Sequence, residues 1–263
     1  MERTRLPRAI VVLAVVGVAF VALPLAGIVV RSAWSRAGEV LPSDTTLHAL
    51  RLSIVVASAA AIVDLVLGVP VAFLLARIRF PGRTLVRAIV VLPLVLPPVV
   101  AGVGLLAALG RRGLLGGPLE AIGISLPFTT GGAVIATAFV SFPLVVLATE
   151  AGLRSLDERL EGAARTLGAS PGYVLRRVTL PLLLPQIVAG AVLAWARALG
   201  EFGATLMFAG NLAGRTQTLP LAVFETTQTD PRGALLVSLL LVVVSVAVLL
   251  ALRGRFLDGG GSR

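Results

Sequence analysis

Six runs along this chain are nearly free of charge: residues 9–30, 52–76, 88–109, 131–149, about 182–208 and 233–252. Apolar residues follow one another within them, without the strict alternation of a barrel strand. At 1.5 Å per residue, each can cross the roughly 30 Å of hydrocarbon in a bilayer. Backbone groups in lipid must be satisfied within the segment, and for uninterrupted runs of this kind that means helices. The pattern predicts an all-α integral membrane protein with six transmembrane helices. An even number of crossings places both termini on one side. The first run, 22 residues from Ala9 to Val30, follows a basic start. It is longer than the roughly 7–15 apolar residues of a cleaved leader, so it is expected to span.

Composition agrees: 57% of residues are hydrophobic and 14% charged, against about 25% charged in soluble chains. The net charge is +10, and all 23 basic residues are arginine. With both termini inside, the inside segments hold 15 arginines and the outside segments 7, with Arg197 inside a span. That excess marks the terminal side as cytoplasmic, and it accounts for the basic balance without nucleic acid. There is no cysteine, hence no disulfide, thiolate metal site or cysteine nucleophile, and the single His48 excludes a His-His metal pair. A P-loop needs a lysine to reach the β- and γ-phosphates, and this chain has none, so ATP-derived energy must come from another polypeptide. No catalytic or metal-binding group stands out. The segments between runs are too short for a soluble domain.

The segment between the fourth and fifth runs gathers charges and glycines: EGAARTLGASPGYVLRRVTLPLLLPQ, residues 161–186. Ser155 is expected to cap a first helix, with Glu158 as its capping-box partner. Leu156, Leu160, Ala163, Ala164 and Leu167 recur at helical spacing. Gly168 permits a left-handed turn, and Pro171 suits the first turn of a second short helix. Pro181 and Pro185 are expected to stop or kink the chain as it re-enters the membrane. Periodicity alone leaves an ordinary amphipathic surface loop open.

The spacing of Ala163, Ala164, Gly168, Val178, Leu180 and Pro181 resembles the signature loop of ABC importer permeases. Further stretches are similar to the molybdate permease branch: LPLVLPPVVAG (92–102), GRRGLLG (110–116), SFPLVV (141–146), ARALGEFGATLMFAGN (196–211) and RTQTLPLAVFE (215–225). The sulfate branch resembles the ARALGEFGA piece as well. The resemblance covers about residues 48–252. It implies a type I ABC importer permease fold that translocates a tetrahedral oxyanion, molybdate or tungstate. The implied organisation is an N-terminal helix and extracytoplasmic linker (1–47), a permease domain (48–252) with a coupling loop at about 151–181, and a short cytoplasmic tail (253–263). The implied partners are a second copy in a homodimer, two ATPase subunits at the coupling loops and an extracytoplasmic oxyanion-binding protein. ATP and Mg would sit on the ATPase, with no cofactor on this chain, in a prokaryotic cell membrane. A sulfate or thiosulfate permease is the nearest alternative; an ATPase-independent transporter is a further one. At the position where the family carries a glutamate this chain has Gly162, with Glu161 one residue earlier.

Arg197 and Glu201 fall four residues apart in the fifth run. A charge at the centre of a bilayer helix costs about 2.5–3.5 kcal/mol on insertion scales, so the two imply pairing or a wet cavity. Two readings are open. The arginine fork faces a translocated oxyanion, or the two charges form an ion pair that fixes helix packing. Ala196, Gly200 and Ala204 form a small-residue stripe on the same expected helix. Asp64 stands alone in the second run. Pro93, Pro97 and Pro98 interrupt the third run and Pro143 the fourth, as kinks or as a gate. Ser141, Thr205 and Asn211 complete the polar candidates along a pathway.

Overall fold

The computed structural model describes residues 7–256, with side chains described except at 249 and 251–256. Of the expected tail, residues 257–263 lie outside this range. Among the described residues every regular element is helical. Helix α1 (Arg8–Arg31) leads through a 3₁₀ turn and α2 (Ala37–Val40) into α3 (Asp44–Arg77). Then come α4 (Arg83–Val95), α5 (Pro98–Leu109), α6 (Gly116–Ala121) and α7 (Thr130–Ser155). The segment after α7 holds α8 (Glu158–Thr166), α9 (Pro171–Val174) and a π-turn (Leu175–Thr179) that runs on into α10 (Leu180–Leu199). The chain closes with α11 (Gly203–Ala209), α12 (Leu219–Thr229) and α13 (Pro231–Phe256).

Five stretches are long and apolar enough to cross a membrane: α1, α3, α7, the continuous α9–α10 helix and α13. The third predicted run is instead two helices. Leu96 and Pro97 both precede a proline and are extended, with ψ near 135° and 131°. A residue before proline is pushed out of the α region, and two in succession end α4. Single prolines do not break their helices: Pro70, Pro93, Pro143 and Pro185 all lie within helices. The expected stop at Pro181 is likewise absent. The π-turn passes the chain directly into α10, so a single helix runs from Pro171 to Leu199.

Helix α7 forms the centre and packs chiefly on α3 and α10. The contact is made by small side chains: Ala57 and Ala60 of α3, Ala138 of α7 and Ala198 of α10 are all buried. Such residues let backbones approach closely where lipid gives no hydrophobic drive for association. At Gly190 a methyl group would lie 2.8 Å from Ala148 Cβ. Side chains cap the starts of both central helices. Ser43 accepts from Thr46 N to cap α3, and Thr129 accepts from Gly132 N to cap α7. Helix α1 buries none of its residues within the chain and leans on α13.

One end of the bundle carries the α3–α4 turn and the α7–α10 segment. The other carries the α1–α3, α5–α7 and α11–α13 connections. Helix α6 is a short turn within the α5–α7 connection. Helix α12 was not foreseen; its first amide, Leu219 N, donates to Ser53 Oγ at 2.7 Å.

Candidate functional site

The segment after α7 is a helical hairpin clasped by one carboxylate. Asp157, not Ser155, caps α8: its Oδ1 accepts from Arg159 N at 2.9 Å. Ser155 still belongs to α7, and its hydroxyl donates to Gly152 O at 2.9 Å, which removes it as a cap. Gly168 turns the chain at φ +85°. Ser170 then caps α9, with Pro171 in the first turn. Glu161 Oε1 accepts from Arg77 Nη2 at 2.9 Å and from Thr179 Oγ1 at 2.8 Å. One side chain of α8 thereby ties the last residue of α3 to the π-turn. Arg77 also donates to Glu158 at 3.0 Å, and Arg165 lies 3.6 Å from Glu161. The acid one position early therefore has a built partner set. The sequence reading named Glu161 without Arg77 or Thr179. The available signal was an arginine ending an apolar run.

The outer face of the hairpin is bare. Leu167 is 89% exposed, and Leu160 and Tyr173 are about half exposed. Ala163 and Gly168 are exposed, and Ala164 and Val178 half-buried; Leu180 and Pro181 open α10. A second cluster at this end, also unforeseen, joins α4 to α7: buried Glu150 pairs with Arg87 and with Arg154, the latter at 2.8 Å.

Across the bundle, two interrupted helices meet at their breaks. Helix α10 ends at Leu199, and Gly200 to Phe202 are irregular before α11. Arg197 and Glu201 are therefore not on one helix face, and Ala196, Gly200 and Ala204 do not form one stripe. The break follows from Glu201. Its Oε1 accepts from Ala204 N at 2.9 Å, so the carboxylate serves the start of α11 rather than continuing α10. Glu201 is 1% exposed, and its other oxygen lies 2.7 Å from Arg197 Nη1, which is 34% exposed. A methyl at Gly203 would lie 2.9 Å from Pro98 Cβ and 3.2 Å from Val99 N. One at Gly102 would lie 2.6 Å from Met207 Cβ. The α10–α11 break thus rests on the start of α5, where Pro97 is exposed and Pro98 half-buried.

Ser141 and Thr205 stand apart from Arg197 chemically. Both are fully buried. Ser141 donates to Asp64 Oδ2 at 2.5 Å, and Thr205 lies 3.4 Å from Thr137. Asp64 is therefore joined to α7, although its Oδ1 has no partner. Asn211 donates to Glu225 at 3.0 Å beyond α11.

The profile of the binding-protein-dependent transport system inner membrane component family matches residues 68–258. The chain belongs to this family. It is a transport permease subunit and not an enzyme, a multi-pass membrane protein that works with partner subunits. The permease is similar to the molybdenum transport system permease protein ModB of Mycobacterium tuberculosis, 48% identical over 99% of this chain and 98% of that one. It is 44% identical to ModB of Escherichia coli K12, over 79% of this chain and 91% of that one. Its fold matches a subunit of a bacterial alginate ABC transporter crystallised with an alginate-bound periplasmic protein: TM-score 0.75, 15% identity, 94% of this chain and 93% of that one.

Proposed function

We propose that the permease is the membrane subunit of an ATP-driven importer of a tetrahedral oxyanion, molybdate or tungstate. End-to-end identity of 48% with a molybdenum transport permease carries this reading. In it, α4 and α5 together make the third of six crossings, and both termini are cytoplasmic in a prokaryotic cell membrane. The α8–α9 hairpin then faces the cytoplasm. Its bare Leu160, Ala163, Leu167 and Tyr173 fit a groove on an ATPase that holds ATP and Mg. Two copies pair around a central pore, and an extracytoplasmic binding protein delivers the anion.

The described contacts supply a transmission route. A push on α8 reaches α3 through Glu161–Arg77 and α10 through Glu161–Thr179. From Thr179 to Gly200 a helix of 21 steps covers about 32 Å at 1.5 Å each, the depth of the hydrocarbon. Displacement of the hairpin thus arrives at the α10–α11 break, where Gly203 bears on Pro98. Partly exposed Arg197 offers its fork to the passing oxyanion. Glu201 prevents a bare guanidinium from trapping a dianion. Alternating access then needs only two arrangements of the breaks, biased by the ATPase.

The test is uptake in cells lacking their own oxyanion importers, with the permease co-expressed with its ATPase and binding protein. From equal low concentrations of molybdate and sulfate, cellular molybdenum is expected to rise and sulfur uptake to stay at background. Sulfur rising instead overturns the substrate assignment.

A further inference from the structure

Where α1 ends and α13 begins, the two helices part around a cleft of about 940 Å³. Three arginines line it, Arg31, Arg36 and Arg232, with Asp230 as the one carboxylate in the lining. Asp230 is already committed: Oδ2 accepts from Arg36 at 2.7 Å and Oδ1 from Gly233 N at 3.0 Å. Arg31 and Arg232 have no carboxylate within 4.0 Å among the described residues. The cleft therefore holds two uncompensated guanidinium groups.

Its remaining walls combine Ser32 and Ser35 with apolar Val30, Ala33, Pro231 and Leu235. Val30 is exposed beside the arginines, half-buried Leu235 of α13 also lines the cleft, and α1 leads away from it along α13 with no side chain buried. Trp34 sits at the mouth with its indole N–H donated to Val29 O at 2.7 Å and its ring exposed. Tryptophan gathers at the level of lipid headgroups. That level is independently set here, because one spanning helix ends and another starts at this cleft. A ligand must then present an anion to the arginines and hydrocarbon to the seam.

We infer that this cleft is a binding site for an anionic phospholipid, whose phosphate meets Arg31 and Arg232 while an acyl chain fills the α1–α13 seam. Guanidinium groups match phosphate oxygens through paired N–H donors. The site also explains how α1, which precedes the family-matched region, stays on the bundle without burying any of its own residues. A lipid completes the contact that the protein leaves open. The inference is independent of which solute the permease carries.

The experiment uses the full chain assembled with its ATPase, in phosphatidylcholine vesicles containing equal fractions of brominated phosphatidylglycerol or brominated phosphatidylcholine. Bromine quenches tryptophan on contact. Trp195 lies away from the cleft, so the difference between the two lipids reports Trp34. With about 1 kcal/mol per basic residue near an anionic lipid and two arginines engaged, the preference for phosphatidylglycerol is expected to be about thirtyfold. Arg31→Gln with Arg232→Gln should abolish it, whereas Arg31→Lys with Arg232→Lys should retain most of it. Equal quenching by both lipids overturns the site, as does an excess that survives the glutamine pair or is lost equally in the lysine pair. Inorganic phosphate and molybdate form the second arm. If either shifts tryptophan emission in pure phosphatidylcholine and phosphatidylglycerol shows no excess, the cleft takes a free oxyanion and the lipid assignment fails.

Discussion

Replacing Glu161 by glutamine should loosen α8 from the bundle without unfolding either. Glu161 is 13% exposed and Arg77 25%, and two charge-assisted hydrogen bonds converge on one carboxylate oxygen. Bonds of that kind contribute about 1.5–3 kcal/mol each when fully buried. Partial exposure of Arg77 and its retained bond to Glu158 reduce the loss, leaving about 2 kcal/mol for the clasp as a whole. At 1.36 kcal/mol per factor of ten, this is about thirtyfold in the docked-to-undocked ratio. Amide hydrogen exchange by mass spectrometry over residues 158–179 measures it, since opening of the clasp exposes both α8 and the π-turn. The control is Glu158→Gln, which removes the other carboxylate from the same arginine. Glu158 is 83% exposed, so its loss should change exchange by less than about threefold. Equal effects of the two substitutions, or exchange in Glu161→Gln within threefold of the parent, would refute the reasoning that burial makes Glu161 the anchor.

Arg197→Ala should destabilise the assembled permease by about 2 kcal/mol, because it leaves the buried Glu201 carboxylate unpaired; adding Glu201→Gln should restore the melting temperature but not molybdate uptake, whereas uptake restored together with stability would reduce Arg197 to a packing role. Gly102→Ala should cost about 1–3 kcal/mol through overpacking against Met207, seen as a lower thermal midpoint, and a midpoint unchanged from the parent would contradict the close α5–α11 contact. Ser141→Ala should be worse than Asp64→Asn, by about 1–2 kcal/mol in chemical unfolding, because the first strips a buried carboxyl of its partner and the second keeps a hydrogen-bonding amide there. Asp230, outside the spans, is held below the usual carboxylate range, chiefly by the Gly233 N–H and then by Arg36. Its contribution to the α1–α13 contact is therefore complete above about pH 4 and lost only as pH falls through its lowered value. Trp34 emission titrated from pH 8 to pH 3 should stay flat down to about pH 4, and a transition near neutrality would contradict this.

Apolar length was legible because lipid sets it: every predicted run is helical, the third and fifth with a break inside them. What ends a helix was less so. Gly168 and Pro171 announced themselves through backbone constraints that act locally. The break after Leu199 did not, since ARALGEFGATL is compatible with a continuous helix. It exists because Glu201 turns to cap α11, and that choice depends on Arg197 and on the α5 start packed beneath it. The site followed the same division. The resemblance to the permease signature loop picked out Ala163, Ala164 and Gly168, and left Glu161 one residue away from the family's glutamate position. The partners of Glu161 are Arg77, 84 residues away in sequence, and Thr179, inside a π-turn that no periodicity reveals. Ser155 with Glu158 satisfied the capping-box pattern, yet Asp157 caps α8 because α7 runs nearly two turns beyond its apolar stretch. Helix α12 escaped notice because it is too short and too mixed to read as a span.

In the proposed mechanism, a hairpin at one end of the bundle converts an ATPase movement into opening at the paired breaks. Proteoliposomes containing the permease, its ATPase and its binding protein test that link directly, with internal ATP and labelled molybdate as the two quantities followed. The expected result is accumulation that needs both partners and disappears in Gly168→Val, where a β-branched residue is forced to φ +85°, while the assembled complex still hydrolyses ATP. Accumulation that persists without the ATPase, or that is unchanged in Gly168→Val, would contradict it.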